Sequence, residues 1–204
     1  TSIIGDMVSE VGGSTISLTT IISPGQDPHS YEPAVADMAA AAEADVIFVN
    51  GWDLEEGLID NLAGAAEDTP MVPVSANIEP LPFGVQDNDE VDGGATGEGQ
   101  GMPDPHTWLD PHLAIQWLAN IEQSLQDLDP ANASTYEANA AAYRTRLDQL
   151  VAEYDHRLGQ LPAGGRSLVT NHDALGYLAA AYDLVVIGTV IPGVSSLAEP
   201  SAGA

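Results

Sequence analysis

PAVADMAAAAEADVIFVNG, residues 33 to 51, decides the fold class. Pro33 stands where a first helical turn tolerates proline, strong helix formers run on to Ala44, and Asp45 opens a short β-branched run that stops at Gly51. A run apolar on both faces is the pattern of a strand buried in a parallel sheet, so the segment reads as a helix followed by a strand. Upstream, Ile16 to Ile22 (ISLTTII) follows Gly12-Gly13 and ends at the turn Ser23-Pro24-Gly25, which predicts another strand. Downstream, Leu54 to Ala66 returns to helix and Pro70 to Ser75 (PMVPVS) to strand. Alternation of this kind specifies an α/β layer structure.

Residues 84 to 101 (GVQDNDEVDGGATGEGQG) interrupt the alternation with a glycine-rich stretch carrying five acids, and read as a long loop. Helical spacing resumes over Leu113 to Leu125, Asp129-Pro130 punctuates the chain, and Ala131 to Leu161 reads as one helix of about 45 Å, long enough to bridge two lobes. After Pro162-Ala163-Gly164-Gly165 the pattern predicts a strand at Ser167 to Asn171, a helix at Ala174 to Ala181, a strand at Leu184 to Ile191 and a small-residue tail from Ser195. The division that follows is an α/β lobe over 1–130, a linking helix over 131–161 and the start of a second α/β lobe over 162–204.

Charge excludes whole classes of partner. Thirty-one acids stand against four bases, all arginine, giving a formal net charge of −27. Such a chain lacks the basic surface that nucleic acid requires and is repelled by anionic membranes. With 44% hydrophobic residues and a mean hydropathy of −0.01 it still has the material for a core. No stretch approaches the roughly 18 to 20 apolar residues of a membrane span. The acid surplus has two readings: solubility in concentrated salt, where self-repulsion is screened, or accumulation of cations near a cleft. Cysteine is absent, which leaves His, Asp and Glu as the strong metal ligands.

Three of the five histidines end the same tripeptide: Asp27-Pro28-His29, Asp104-Pro105-His106 and Asp110-Pro111-His112. Proline restricts the backbone, and a neighbouring carboxylate can accept the imidazole N–H that faces away from a metal. His29 follows one predicted strand and His172 another, and ligand crevices in open α/β sheets lie beyond the carboxyl ends of strands. The 77- and 66-residue separations among His29, His106 and His172 match no local zinc motif, so surface or capping roles stay open. His156 reads as solvated on the long helix, and His112 as a structural residue at a helix N-terminus.

The segments Pro24-Gly25-Gln26-Asp27-Pro28-His29-Ser30-Tyr31-Glu32-Pro33, Ala44 to Gly51 with Leu54-Glu55, Asp104-Pro105-His106-Thr107-Trp108-Leu109-Asp110-Pro111 and Asn171 to Leu178 resemble, in order and over nearly the whole chain, the extracytoplasmic solute-binding proteins of zinc and manganese ABC transporters. The resemblance implies two Rossmann-like α/β lobes joined by a long rigid helix. It also implies that His29, His106 and His172 converge on one divalent metal, zinc before manganese, captured outside the cytoplasm by a monomer and delivered to a membrane permease. Against the family pattern the chain looks truncated at both ends, with a fourth ligand, Asp or Glu, expected beyond residue 204 and the second lobe incomplete. A metal-sequestering adhesin on the same scaffold is the alternative. A zinc hydrolase would need a general base, and the chain has no HExxH motif, so the reading is capture rather than catalysis.

Overall fold

A computed structural model describes residues 1–83 and 101–191. Helix α1 (Ser2–Gly12) is amphipathic: Ile4, Met7, Val8 and Val11 fall on one face and are buried, each worth roughly 1.5–3 kcal/mol of transfer free energy as an upper bound. There follow α2 (Val35–Ala42), β1 (Ile47–Val49), α3 (Glu56–Ala65) and β2 (Met71–Pro73). Strands β1 and β2 pair in parallel, Ile47 opposite Met71 and Val49 opposite Pro73. At the carboxyl end of β1 the chain turns through Gly51 at φ 94°, where an added Cβ would also meet the Ser75 hydroxyl at 2.6 Å.

Helix α4 (Pro111–Leu128) supplies the core, with Trp117, Leu118 and Ile121 almost fully buried against α1 and the long helix α5 (Ala133–Gly159). At 27 residues α5 spans about 40 Å. Its sequence is polar and buries only Tyr136, Ala140 and Leu147, but α1 fastens its first half. Asn139 donates to the Val11 carbonyl at 2.9 Å, the Tyr143 hydroxyl to Asp6 at 3.0 Å, and Arg146 pairs with Glu10. Beyond α5, β3 (Ser167–His172), α6 (Gly176–Tyr182) and β4 (Val185–Ile191) form a second parallel unit with a register shift after Leu168. The architecture is therefore two α/β units joined by one long helix.

The structure corrects the sequence reading at one element. Ile16 to Ile22 forms no strand. A strand needs a ladder partner, and here a cleft of about 730 Å³ separates this segment from β1. Helix α2 is shorter than the run 33–44 because it begins at Val35, where the Asp37 carboxylate accepts the Ala34 N–H at 2.7 Å and the Tyr31 hydroxyl at 2.8 Å. The expected loop over 84–101, apart from Gly101, and the tail from Ser195 lie outside the described residues. Among the described residues no helix is long and apolar enough to cross a membrane.

Candidate metal centre

His29, His106 and His172 meet at one point, with one ring nitrogen from each within 4.8 Å of the others. His29 and His106 are buried and His172 is half-buried. Each arrives by a different local device. His29 sits on the single 3₁₀ turn Pro28–Ser30, whose N-cap Asp27 accepts the His29 backbone N–H at 3.0 Å. His106 caps the turn Thr107–Leu109, and Asp104 Oδ1 accepts both its backbone N–H at 2.9 Å and its Nδ1–H at 2.7 Å. His172 is the last residue of β3, so it projects from the carboxyl end of a parallel strand.

The surrounding hydrogen bonds bring the two units to the same place. Asn50, at the end of β1, donates to the Pro105 carbonyl at 2.9 Å. Trp117 Nε1–H donates to the Thr107 hydroxyl at 3.0 Å. From the second unit, the Tyr177 hydroxyl donates to the Asp104 carbonyl at 2.8 Å and accepts the Leu81 N–H at 3.1 Å. Gly176 approaches so closely that an added Cβ would lie 2.7 Å from Asp104 Oδ2.

Tautomers follow from these contacts. Asp104 places the His106 proton on Nδ1, and Glu56, with Oε1 3.4 Å from His29 Nδ1, does the same for His29. Both Nε2 atoms then carry lone pairs, yet they lie only 3.3 Å apart, and His172 Nε2 lies 3.3 Å from His106 Nε2. Lone pairs at that separation repel unless something electron-poor lies between them. A tetrahedral zinc with bonds of about 2.05 Å sets its ligand nitrogens about 3.3 Å apart, so both separations fit one ion. Burial, then the neighbouring His106 ring, pushes the His29 pKa down against the opposing pull of Asp27 and Glu56. Burial, then His106 and His29, lowers that of His172 to about 4. Both shifts favour the neutral ring that a metal ligand must be.

The structure brings together His29, His106 and His172, the three positions expected as ligands, while the carboxylate of the tripeptide reaches the ring of His106 and another carboxylate that of His29. Asp104 orients its ring as the tripeptide implied, but the contact to the His29 ring comes from Glu56, in the first turn of α3. The available signal for Glu56 was its position directly after Leu54-Glu55. Glu55 is itself buried, accepting the Asn50 N–H at 2.9 Å through Oε1 while Oε2 has no partner. His112 begins α4 and His156 is exposed on α5, neither of them at the cluster.

Comparison with known proteins bears on the same site. The chain is 34% identical to the iron-binding protein YfeA of Yersinia pestis over 181 residues, covering 89% of this chain and 54% of that protein. It is 34% identical to the manganese-binding lipoprotein MntA of Halalkalibacterium halodurans over 187 residues, 92% of this chain and 57% of that one. The chain thus spans little more than half the length of these curated relatives. Among solved structures, the periplasmic zinc binding protein TroA from Treponema pallidum superposes with a TM-score of 0.83 at 30% identity, over 98% of this chain and 67% of that one. The family model for the periplasmic zinc-uptake complex component A, ZnuA, matches residues 1–204, and the chain belongs to that family.

Proposed function

We propose that this chain captures a divalent transition-metal ion on His29, His106 and His172 outside the cytoplasm and passes it to the permease of an ABC transporter. The observation that carries the reading is the pair of imidazole lone pairs held 3.3 Å apart by carboxylates behind each ring. The relatives bear the names of iron-, manganese- and zinc-binding proteins, consistent with capture of such an ion. Zinc is the favoured cargo and manganese the second, because three neutral imidazoles suit a borderline metal better than a hard one. Three ligands leave one tetrahedral position for water, chloride or a further carboxylate. The carboxylates behind His29 and His106 are engaged with Nδ1 and serve orientation, which supports binding rather than hydrolysis. His29 and His106 stand on the first unit and His172 on the second, so a bound ion ties the units together while α5 limits their movement.

Metal content measured by mass spectrometry after dialysis against mixed zinc and manganese, on the wild-type chain and His106→Ala, tests this directly. The expected result is zinc at the cluster of the wild type and its loss in the variant, with the fold preserved by circular dichroism. Equal zinc in both proteins would overturn the assignment, and manganese retained in preference to zinc would overturn the choice of cargo.

A further inference from the structure

The third Asp-Pro-His tripeptide builds a half-site that matches the one at His106. Asp110 Oδ1 accepts the His112 backbone N–H at 2.9 Å and its Nδ1–H at 2.8 Å, against 2.9 and 2.7 Å for Asp104 and His106. The proton is again placed on Nδ1, and the Nε2 lone pair is left on a ring whose side chain is 46% exposed. That nitrogen faces α5, where Asp155 Oδ1 lies 3.9 Å away. The distance is too long for a hydrogen bond, and a lone pair opposite a carboxylate gains nothing from it.

From α6, the Tyr182 ring stands 6.1 Å from the His112 ring. Tyr182 is 8% exposed, and its buried hydroxyl lies beside the same Asp155 carboxylate without a well-formed hydrogen bond to it. It is close enough to feel charge: burial first, then Asp155 and Asp110, raise its pKa to about 12. The buried hydroxyl and the imidazole lone pair converge on one carboxylate without a well-formed bond to it, an arrangement that a cation between them would satisfy.

We propose that His112 Nε2, the Asp155 carboxylate and the Tyr182 hydroxyl hold a second divalent transition-metal ion at the seam of α4, α5 and α6, separate from the three-histidine cluster. Asp110 and Asp155 carry together two negative charges, which neutralise one dication. A mixed nitrogen and oxygen donor set suits zinc, nickel or copper(II). The exposure of His112 and Asp155 makes the ion exchangeable and its affinity lower than that of an enclosed site.

Zinc titrated calorimetrically into the wild-type chain, His112→Gln, His106→Ala and the double variant, with millimolar magnesium occupying the acidic surface, tests the site. The expected result is two zinc ions in the wild type, one in each single variant and none in the double. Asp155→Asn should weaken the second ion about tenfold or more, and Tyr182→Phe several-fold. One zinc in the wild type that His112→Gln removes would support this site while refuting the three-histidine assignment. One zinc that survives His112→Gln, or a second zinc bound equally in both proteins, would overturn the proposal. The comparison of His112→Gln with the wild type stands even where His106→Ala alters the fold.

Discussion

Acid should release zinc from this chain at lower pH than it would from three freely accessible imidazoles. A free imidazole of pKa about 6.5 is protonated about thirtyfold over neutral at pH 5.0, a loss of about 1.5 logarithmic units of apparent affinity, and three such rings lose about 4.5. In the metal-free chain burial and the adjacent rings hold His172 at about 4. The same arithmetic then charges His172 with about 0.04 units at pH 5.0 and about 0.6 at pH 3.5. His29 is shifted in the same direction. The sign for folding agrees: a lowered histidine pKa means that the unfolded chain binds more protons between about 4 and 6.5, so the metal-free fold loses stability as pH falls through that window. Competition with a chromophoric chelator at pH 7.5, 6.5 and 5.0 and constant ionic strength measures the effect. A fall short of the roughly 4.5 units of three free rings is expected between the extremes. A fall of 4.5 units or more would mean that the rings are freely accessible without metal, and constant affinity down to pH 3.5 would remove the histidines from the ligand set.

The carboxylates behind the rings should differ in weight. Asp104→Asn is expected to lower zinc affinity about 10- to 100-fold, because Asp104 is buried and accepts two bonds from His106, whereas Glu56→Gln, at 3.4 Å and half-exposed, should cost less. Chelator competition on both variants checks the order, and equal losses would contradict the geometry. Glu55→Gln should leave zinc binding in place and alter stability with pH. Burial, opposed by the Asn50 N–H, raises the Glu55 pKa, so the wild type gives up stability as pH rises from about 4.5 through the raised value. The glutamine variant keeps an acceptor for Asn50 without that loss, and urea unfolding at pH 4.5 and 7.5 should show a smaller decline than in the wild type.

Elements whose stability is local were legible in the sequence. The run DVIFVN reads as a buried parallel strand because apolar residues fill both of its faces, and β1 lies within it. The polar, alanine-rich stretch after Asp129-Pro130 reads as a long helix, and α5 occupies 27 of those residues. Ile16 to Ile22 shows where the inference stops. Its β-branched composition describes a residue content that fits a sheet, but a strand also requires a neighbouring edge, and no local pattern states whether that edge is present.

The repeated tripeptide carries the same lesson into the site. Asp-Pro-His fixes one interaction in all three copies, the aspartate accepting the backbone N–H two residues on, because that bond depends only on local geometry. The contact to the ring differs between copies. Asp104 and Asp110 reach Nδ1 of their own histidines, whereas Nδ1 of His29 faces Glu56, 27 residues later, because α3 packs against the turn that carries His29. What each imidazole then faces is decided at still longer range: β3 brings His172 to His29 and His106, while α5 and α6 bring a carboxylate and a phenol to His112. A short motif can therefore orient a ligand, but convergence with other groups belongs to the tertiary fold. The distinction between His106 in a buried three-imidazole cluster and His112 on a half-exposed seam follows from which elements pack beside them, not from the tripeptide they share.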